Sequence, residues 1–290
     1  MADYENPEIP EGINVSPTHP LKDFALLVAG ISTLLVVGVL ILSLLAGQLT
    51  RHIPFAHEQA LAASLDRWLP AAPETPVQQQ RQQYLQSLAD RLTAAMDIPA
   101  DMPITVHYAP AGTVNAMATL GGHIVVFQGL IDTLPNENAL AMVVAHEIAH
   151  VRHRHPIVAM GRGFAVMLAL SSLTGIGDGS LQRWLVGVGM LPVLSFSRHQ
   201  EEEADDAALH AMLRRYGHVG EAAAFFEHIA RQQPAAGGLP IFDTHPGHAE
   251  RIARIRDFAA RHGDAGNPPV IPLPEFMKDG KAAAGAAGAG

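Results

Sequence analysis

The chain has 290 residues, a formal charge of −9, 16% charged and 48% hydrophobic residues, and a mean hydropathy of +0.14. Soluble domains carry about 25% charged residues, so these values exclude a disordered chain and point to membrane contact. The lack of cysteine excludes a disulfide framework, a thiol nucleophile, thiolate-bound zinc and a cysteine-linked lipid, and the acidic balance argues against a nucleic-acid surface.

Residues 1–23 are polar, rich in Pro and Glu and without hydrophobic period, and read as a flexible tail. No charged residue occurs from Phe24 to Thr50. About 20 apolar residues cross a bilayer, so 24–50 reads as a transmembrane anchor and the lipid bilayer as a partner. A cleaved signal peptide fits less well, because the leader is long and acidic and the apolar core too long. Leu45-Ala46-Gly47 resembles the start of a lipoprotein signal, but Gln48 stands where the lipidated cysteine belongs. Lys22 on one side and Arg51 and Arg67 on the other leave orientation undecided by charge.

Residues 51–80 form a juxtamembrane helix, with Phe55, Leu61, Leu65, Trp68 and Leu69 at helical spacing, and a Pro70–Pro76 linker. A Gln-rich helix covers about Val77–Met96. Ile104–Tyr108 alternates and His123–Phe127 follows Gly121-Gly122, which predicts a hairpin or small sheet. Asn136 can cap a helix through Ala139–His155 that stops at Pro156. The apolar stretches Gly163–Gly177 and Trp184–Phe196 are short for a span, and read as core or membrane-surface helices. Helices at about Ser197–Arg215, Glu221–Gln232 and Pro246–His262 follow, then a low-complexity tail over 263–290. The expected fold is α+β, mainly helical with a small β-sheet, the anchor preceding one domain over 81–262.

The chain has 16 histidines, and two of them stand in His146-Glu147-Ile148-Ala149-His150. Four residues are about one helical turn, so both imidazoles leave one face and can share a zinc ion. Glu147, rotated by about 100°, reaches a water on that ion without being a ligand. The surrounding Val143, Val144, Ala145, Ile148 and Val151 make unpartnered burial of these groups costly, and a metal is the simplest compensation. His153 lies about 10 Å along the axis from His146 and cannot join the same ion. The metzincin extension needs glycine at 153 and histidine at 156, where this chain has His153 and Pro156.

A third ligand is expected from Glu201, with Asp205 one turn on as the acceptor that fixes a ligand imidazole. The alternative is an acidic helix face paired with Arg198 or Arg214.

Four ordered blocks carry a resemblance. They are Asn115-Ala116 with Gly121-Gly122-His123-Ile124-Val125-Val126-Phe127 and Gly129-Leu130; the His146 motif; Ser197-Arg198 with Glu201 and Ala204-Asp205; and Thr244-His245-Pro246 with Arg251-Ile252. From about Arg81 to His262 the chain resembles the membrane-associated gluzincin zinc metallopeptidases, the group of the HtpX, type I CaaX prenyl protease, BepA and Oma-like peptidases. The resemblance implies one zinc on His146, His150 and Glu201, with Glu147 as catalyst. The single evident span departs from the HtpX branch.

The expected reaction is peptide hydrolysis by zinc-activated water, Glu147 taking the proton and delivering it to the leaving amine. His245 is the candidate oxyanion donor, or else an inhibitory fourth ligand or a packing residue; Arg251 would orient His245 or a carboxylate such as Asp205. An extended protein substrate would pair with an edge strand at Asn115, Ala116 and Met117. Such backbone recognition suits unfolded or misassembled proteins. A chaperone-like assembly factor with a structural or autoinhibited zinc site is the competing reading, and Glu147 favours the enzyme. By resemblance the anchor lies in a bacterial inner membrane with the peptidase domain in the periplasm.

Overall fold

The structure, a computed structural model, describes residues 20–64, 69–174, 196–227, 248–262 and 269–278. The anchor is helix α1 (Pro20–Thr50), long and apolar enough to cross a membrane. Helix α2 (Phe55–Ala63) is the described helix of the juxtamembrane segment, while Leu65 and Trp68 lie outside the described residues. Helix α3 (Pro76–Ala95) starts at a Thr75–Gln78 capping box that satisfies two backbone donors.

Strands β1 (Thr105–Ala109), β2 (Ala116–Ala118) and β3 (His123–Phe127) form a sheet of order β1-β3-β2. The two expected runs, β1 and β3, do meet in a small sheet but in parallel rather than as a hairpin, and the antiparallel partner of β3 is β2, a pairing that local alternation does not reveal. The β2–β3 turn needs glycine: Gly122 has φ 87, and a Cβ there would lie 2.0 Å from the Pro103 carbonyl oxygen.

The glutamines of α3 have a structural use. The Gln82 and Gln86 side chains accept from the Tyr108 and Val106 amides at 2.7 and 2.9 Å, and Gln86 donates to the Ile104 carbonyl at 3.0 Å. They thereby satisfy the outer backbone of β1, an edge otherwise open to another strand. The outer side of β2 carries no further strand among the described residues.

Short helix α4 (Gln128–Thr133) leads to α5 (Glu137–Arg152), whose cap Asn136 accepts from the Ala139 amide at 3.0 Å. Every residue of α5 from Glu137 to Val151 is buried. The helix ends at Arg152, three residues before the expected stop, because Arg154 turns left-handed at φ 61. Pro156 falls in the first turn of α6 (His155–Thr174), where its missing N–H costs nothing. Helix α7 (Arg198–Tyr216) opens on a Ser197–Gln200 capping box and closes on left-handed Gly217; α8 (His248–Arg261) packs on it.

Residues 263–290, expected as a low-complexity tail, contain a segment at 269–278 that belongs to the domain. Met277 is fully buried, and Arg81 donates to the Phe276 and Lys278 carbonyls at 2.6 and 3.1 Å. Residues 1–19 of the N-terminal tail lie outside the described residues. So do most of the second apolar stretch, residues 228–232 of the helix expected at Glu221–Gln232, and His245.

Candidate metal centre

α5 and α7 cross so that His146, His150 and Glu201 converge, with their ligand atoms all within 4.8 Å of one another. The two Nε2 atoms are 3.0 Å apart; the Glu201 oxygens lie 3.3 Å from His146 Nε2 and 3.5 Å from His150 Nε2. Tetrahedral zinc with ligand bonds of about 2.0–2.1 Å separates its donors by about 3.3 Å, so this His-His-Glu set fits zinc in both chemistry and spacing. All three side chains are buried.

Behind the donors lies a charged network. Asp205 Oδ1 is 2.9 Å from His146 Nδ1. The Arg251 guanidinium, from α8, forks onto Asp205 through Nε at 2.8 Å and Nη2 at 2.7 Å, and reaches Glu201 through Nη1 at 2.7 Å. Arg251 therefore meets Asp205, one of the two partners considered for it. Two buried carboxylates with no cation between them would repel, and the arginine fork offsets that cost. It lies 4.2 Å over the Phe226 ring.

The protonation of the metal-free site follows from these contacts. Burial raises the Asp205 pKa, but Arg251 and then His146 outweigh it and hold the carboxyl down at about 2. Burial and Arg251 disfavour a charged His146, yet the bonds to Asp205 and Glu201 lift it to about 9. His155 is pushed down to about 3 by burial, with His153 adding to it.

Glu147 is buried beside the histidines and accepts from the Ala118 amide at 2.7 Å. Ala118 ends β2. Thr119 donates to the His123 carbonyl and Phe127 to the Asn115 carbonyl, so Asn115, Met117 and Thr119 turn their backbone toward β3 while Ala116 and Ala118 turn theirs outward. The outer side of β2, which pairs with no further strand among the described residues, and the Glu147 carboxylate thus meet. Asn115 and Ala116 are buried and Met117 is half-buried.

Three contributors escaped the sequence reading. Phe196 stacks on His150 at 4.0 Å and 18°, and His155 lies 2.9 Å from His150 Nδ1. Phe196 precedes the Ser197 cap, the place where an apolar residue commonly packs back on its helix, which was the available signal. Glu58 of α2 is buried; it accepts from the Gly121 amide at 3.0 Å and pairs with Arg154 at 2.8 Å. It ties the β2–β3 turn to the end of α5, and no local pattern marks it.

The profile of Peptidase family M48 matches residues 79–259. The chain belongs to this family. The metallopeptidases of this family are zinc-dependent, which agrees with the His-His-Glu set of this chain, and a helix fit to cross a membrane lies at its N-terminal side. Among similar proteins, mitochondrial metalloendopeptidase OMA1 of Schizosaccharomyces pombe is 28% identical over 206 residues, 70% of this chain and 58% of that protein. Metalloprotease LoiP of Escherichia coli is 34% identical over 56% of this chain and 65% of its own length. The beta-barrel assembly-enhancing protease of the same organism is 30% identical over 61% of this chain and 38% of its own. The chain thus spans less than two thirds of each of these M48 relatives.

Proposed function

We propose that the protein is a membrane-anchored endopeptidase that cleaves extended segments of unfolded or misassembled proteins, with His146, His150 and Glu201 holding one zinc ion. The observation that carries this reading is the bond between Glu147 and Ala118, which sets a buried carboxylate against the outer edge of β2 beside the His-His-Glu set. Zinc, when bound, supplies a Lewis acid that polarises a carbonyl and makes water acidic near neutral pH.

The protein groups do the rest. Glu147 receives the proton of the attacking water and returns it to the leaving amine. Asp205 holds the His146 ring through Nδ1 and leaves Nε2 free to bind metal. Arg251 keeps Asp205 ionised and pairs with Glu201. Phe196 covers one face of His150 and excludes water from it. A substrate strand pairs with the outward backbone of Ala116 and with the Ala118 carbonyl, the Ala118 amide being held by Glu147. Such pairing reads peptide groups rather than side chains. His245 is assigned the second oxyanion donor, and His245→Ala lowers activity if that assignment holds.

The decisive experiment uses the full chain in liposomes with an unfolded casein. Wild type cleaves it, and Glu147→Gln binds zinc and substrate without cleavage. Cleavage by the Gln variant would overturn the reading. For topology, we assign the peptidase domain to the periplasmic side of a bacterial inner membrane; digestion of the domain by protease added to intact spheroplasts tests that assignment.

A further inference from the structure

Helix α6 starts at the metal centre and runs away from the domain along α1. Ile157 packs with Ile53; Gly161 lies against Thr50 and Ala46, Val158 and Arg162 against Gly47; and Phe164 and Ala165 share an apolar groove with Leu42 and Leu45. As numbers rise in α6 they fall in α1, so the two helices are antiparallel. The glycines permit the approach, since a Cβ on Gly161 would stand 2.5 Å from Thr50 Cγ2.

This pairing brings two charge boundaries to one level. Arg51 directly follows α1, charge on α6 ends at Arg162, and Gly161 faces Thr50. Beyond that level α1 has no charged residue back to Phe24, and α6 has none from Gly163 to its end at Thr174. Phe164 and Val166 are 49% and 37% exposed, so apolar surface faces away from the protein beside the apolar surface of α1.

We propose that Gly163–Thr174 of α6 is embedded in the lipid bilayer alongside α1, which holds the peptidase site at the membrane surface. The proposal rests on α1 being the bilayer-spanning anchor. Twelve residues reach about 18 Å, past the middle of a hydrocarbon core of about 30 Å but short of crossing it. Arg162 sits at the boundary, its side chain lying against Gly47 of α1. From Gly163 to His155 is about 12 Å of helix, so the metal centre stands just above the headgroup layer. Polypeptide lying on, or emerging from, the bilayer is then the substrate class within reach.

The absence of cysteine makes the test direct. Full-length Phe164→Cys, Val166→Cys, Leu34→Cys and Gln83→Cys variants are spin-labelled, reconstituted in liposomes, and probed by collision with oxygen, which enriches in lipid, and with a water-soluble nickel chelate. Leu34 is 72% exposed on α1, and Gln83 is exposed on α3 as the aqueous reference. The expected oxygen-to-nickel ratio at 164 and 166 matches that at 34 and exceeds that at 83 by roughly tenfold. Nickel-dominated collisions at 164 and 166 with lipid values at 34 would place α6 in water and overturn the proposal while leaving the anchor intact. Low collision with both reagents would mean that protein, such as a second copy, covers the helix, and would also overturn it. A water-like value at 34 would remove its premise, the anchor itself.

Discussion

Helices α5 and α6 are consecutive, separated only by His153 and Arg154, and both are dominated by apolar side chains. Their surroundings differ completely. α5 is enclosed by α3, α7 and the sheet, and its apolar positions wall in His146, Glu147 and His150. α6 has α1 on one side and leaves Phe164 and Val166 uncovered. Similar hydrophobicity thus serves two ends. Where neighbours close around a helix, its few polar groups gain strength from a low dielectric; where they do not, its apolar surface calls for another apolar medium.

The sharpest way to break this contrast is to strip α5 of its chemistry without disturbing its packing. Glu147→Gln keeps the shape and is expected to lower kcat by about 10²- to 10⁴-fold, with zinc content by metal analysis unchanged. Asp205→Asn acts one step further back: zinc affinity measured by chelator competition should fall about 10- to 100-fold. An unchanged affinity would mean that Asp205 does not govern the His146 ring.

The same enclosure sets a pH dependence. In the metal-free protein His146 is raised to about 9 against an ordinary value of about 6.5. Its proton stabilises the fold fully below about pH 6.5, and that contribution is lost as pH rises through about 9. A zinc ligand must be unprotonated, so zinc binding at pH 7 releases a proton and apparent affinity climbs with pH through this window. Titration calorimetry in buffers of different ionisation enthalpy checks this, and absence of a released proton would contradict it.

The legible parts of the molecule were those encoded locally. His146 and His150 are one turn apart, Glu201 and Asp205 are one turn apart, and Asn136 caps the residue three positions on, so each spacing survives in the sequence. The illegible parts join distant segments. Glu58 meets Gly121 and Arg154 across 63 and 96 positions, and β1 pairs with β3 across an intervening strand. Pro156 misled because its effect depends on place: it breaks a helix interior but suits a first turn. The 269–278 segment was hidden for another reason. Many of its anchoring bonds use backbone carbonyls, such as those of Phe276, Met277 and Lys278, which carry no side-chain signature.

On the α6 side, Val166→Arg separates lipid from water. About 6 Å inside the boundary the charge should cost about 1–2 kcal/mol, less than the about 2.5–3.5 kcal/mol of a helix centre because the side chain can reach the headgroups, read as lost stability in liposomes. On a water-exposed face the same change stays within about 0.5 kcal/mol.

The smallest effect on catalysis is expected at the strap that closes the α5 side. Lys278 Nζ donates to the carbonyls of Ile131, Asp132 and Leu134 at 2.8, 3.1 and 2.5 Å, which supplies partners for the C-terminal carbonyls of α4. Just beyond, the Ile271 carbonyl accepts from the Glu137 amide at 2.8 Å and Asn138 Oδ1 accepts from the Ile271 amide at 2.9 Å, so the strap also holds the first turn of α5. Lys278→Ala removes charge-assisted bonds at a half-buried position, and should cost about 1–2 kcal/mol. Because α5 keeps its cap and its walls, kcat/KM should hold while Tm falls by a few degrees. A loss of activity without a loss of Tm would mean that the strap acts on the metal centre rather than on the frame around it.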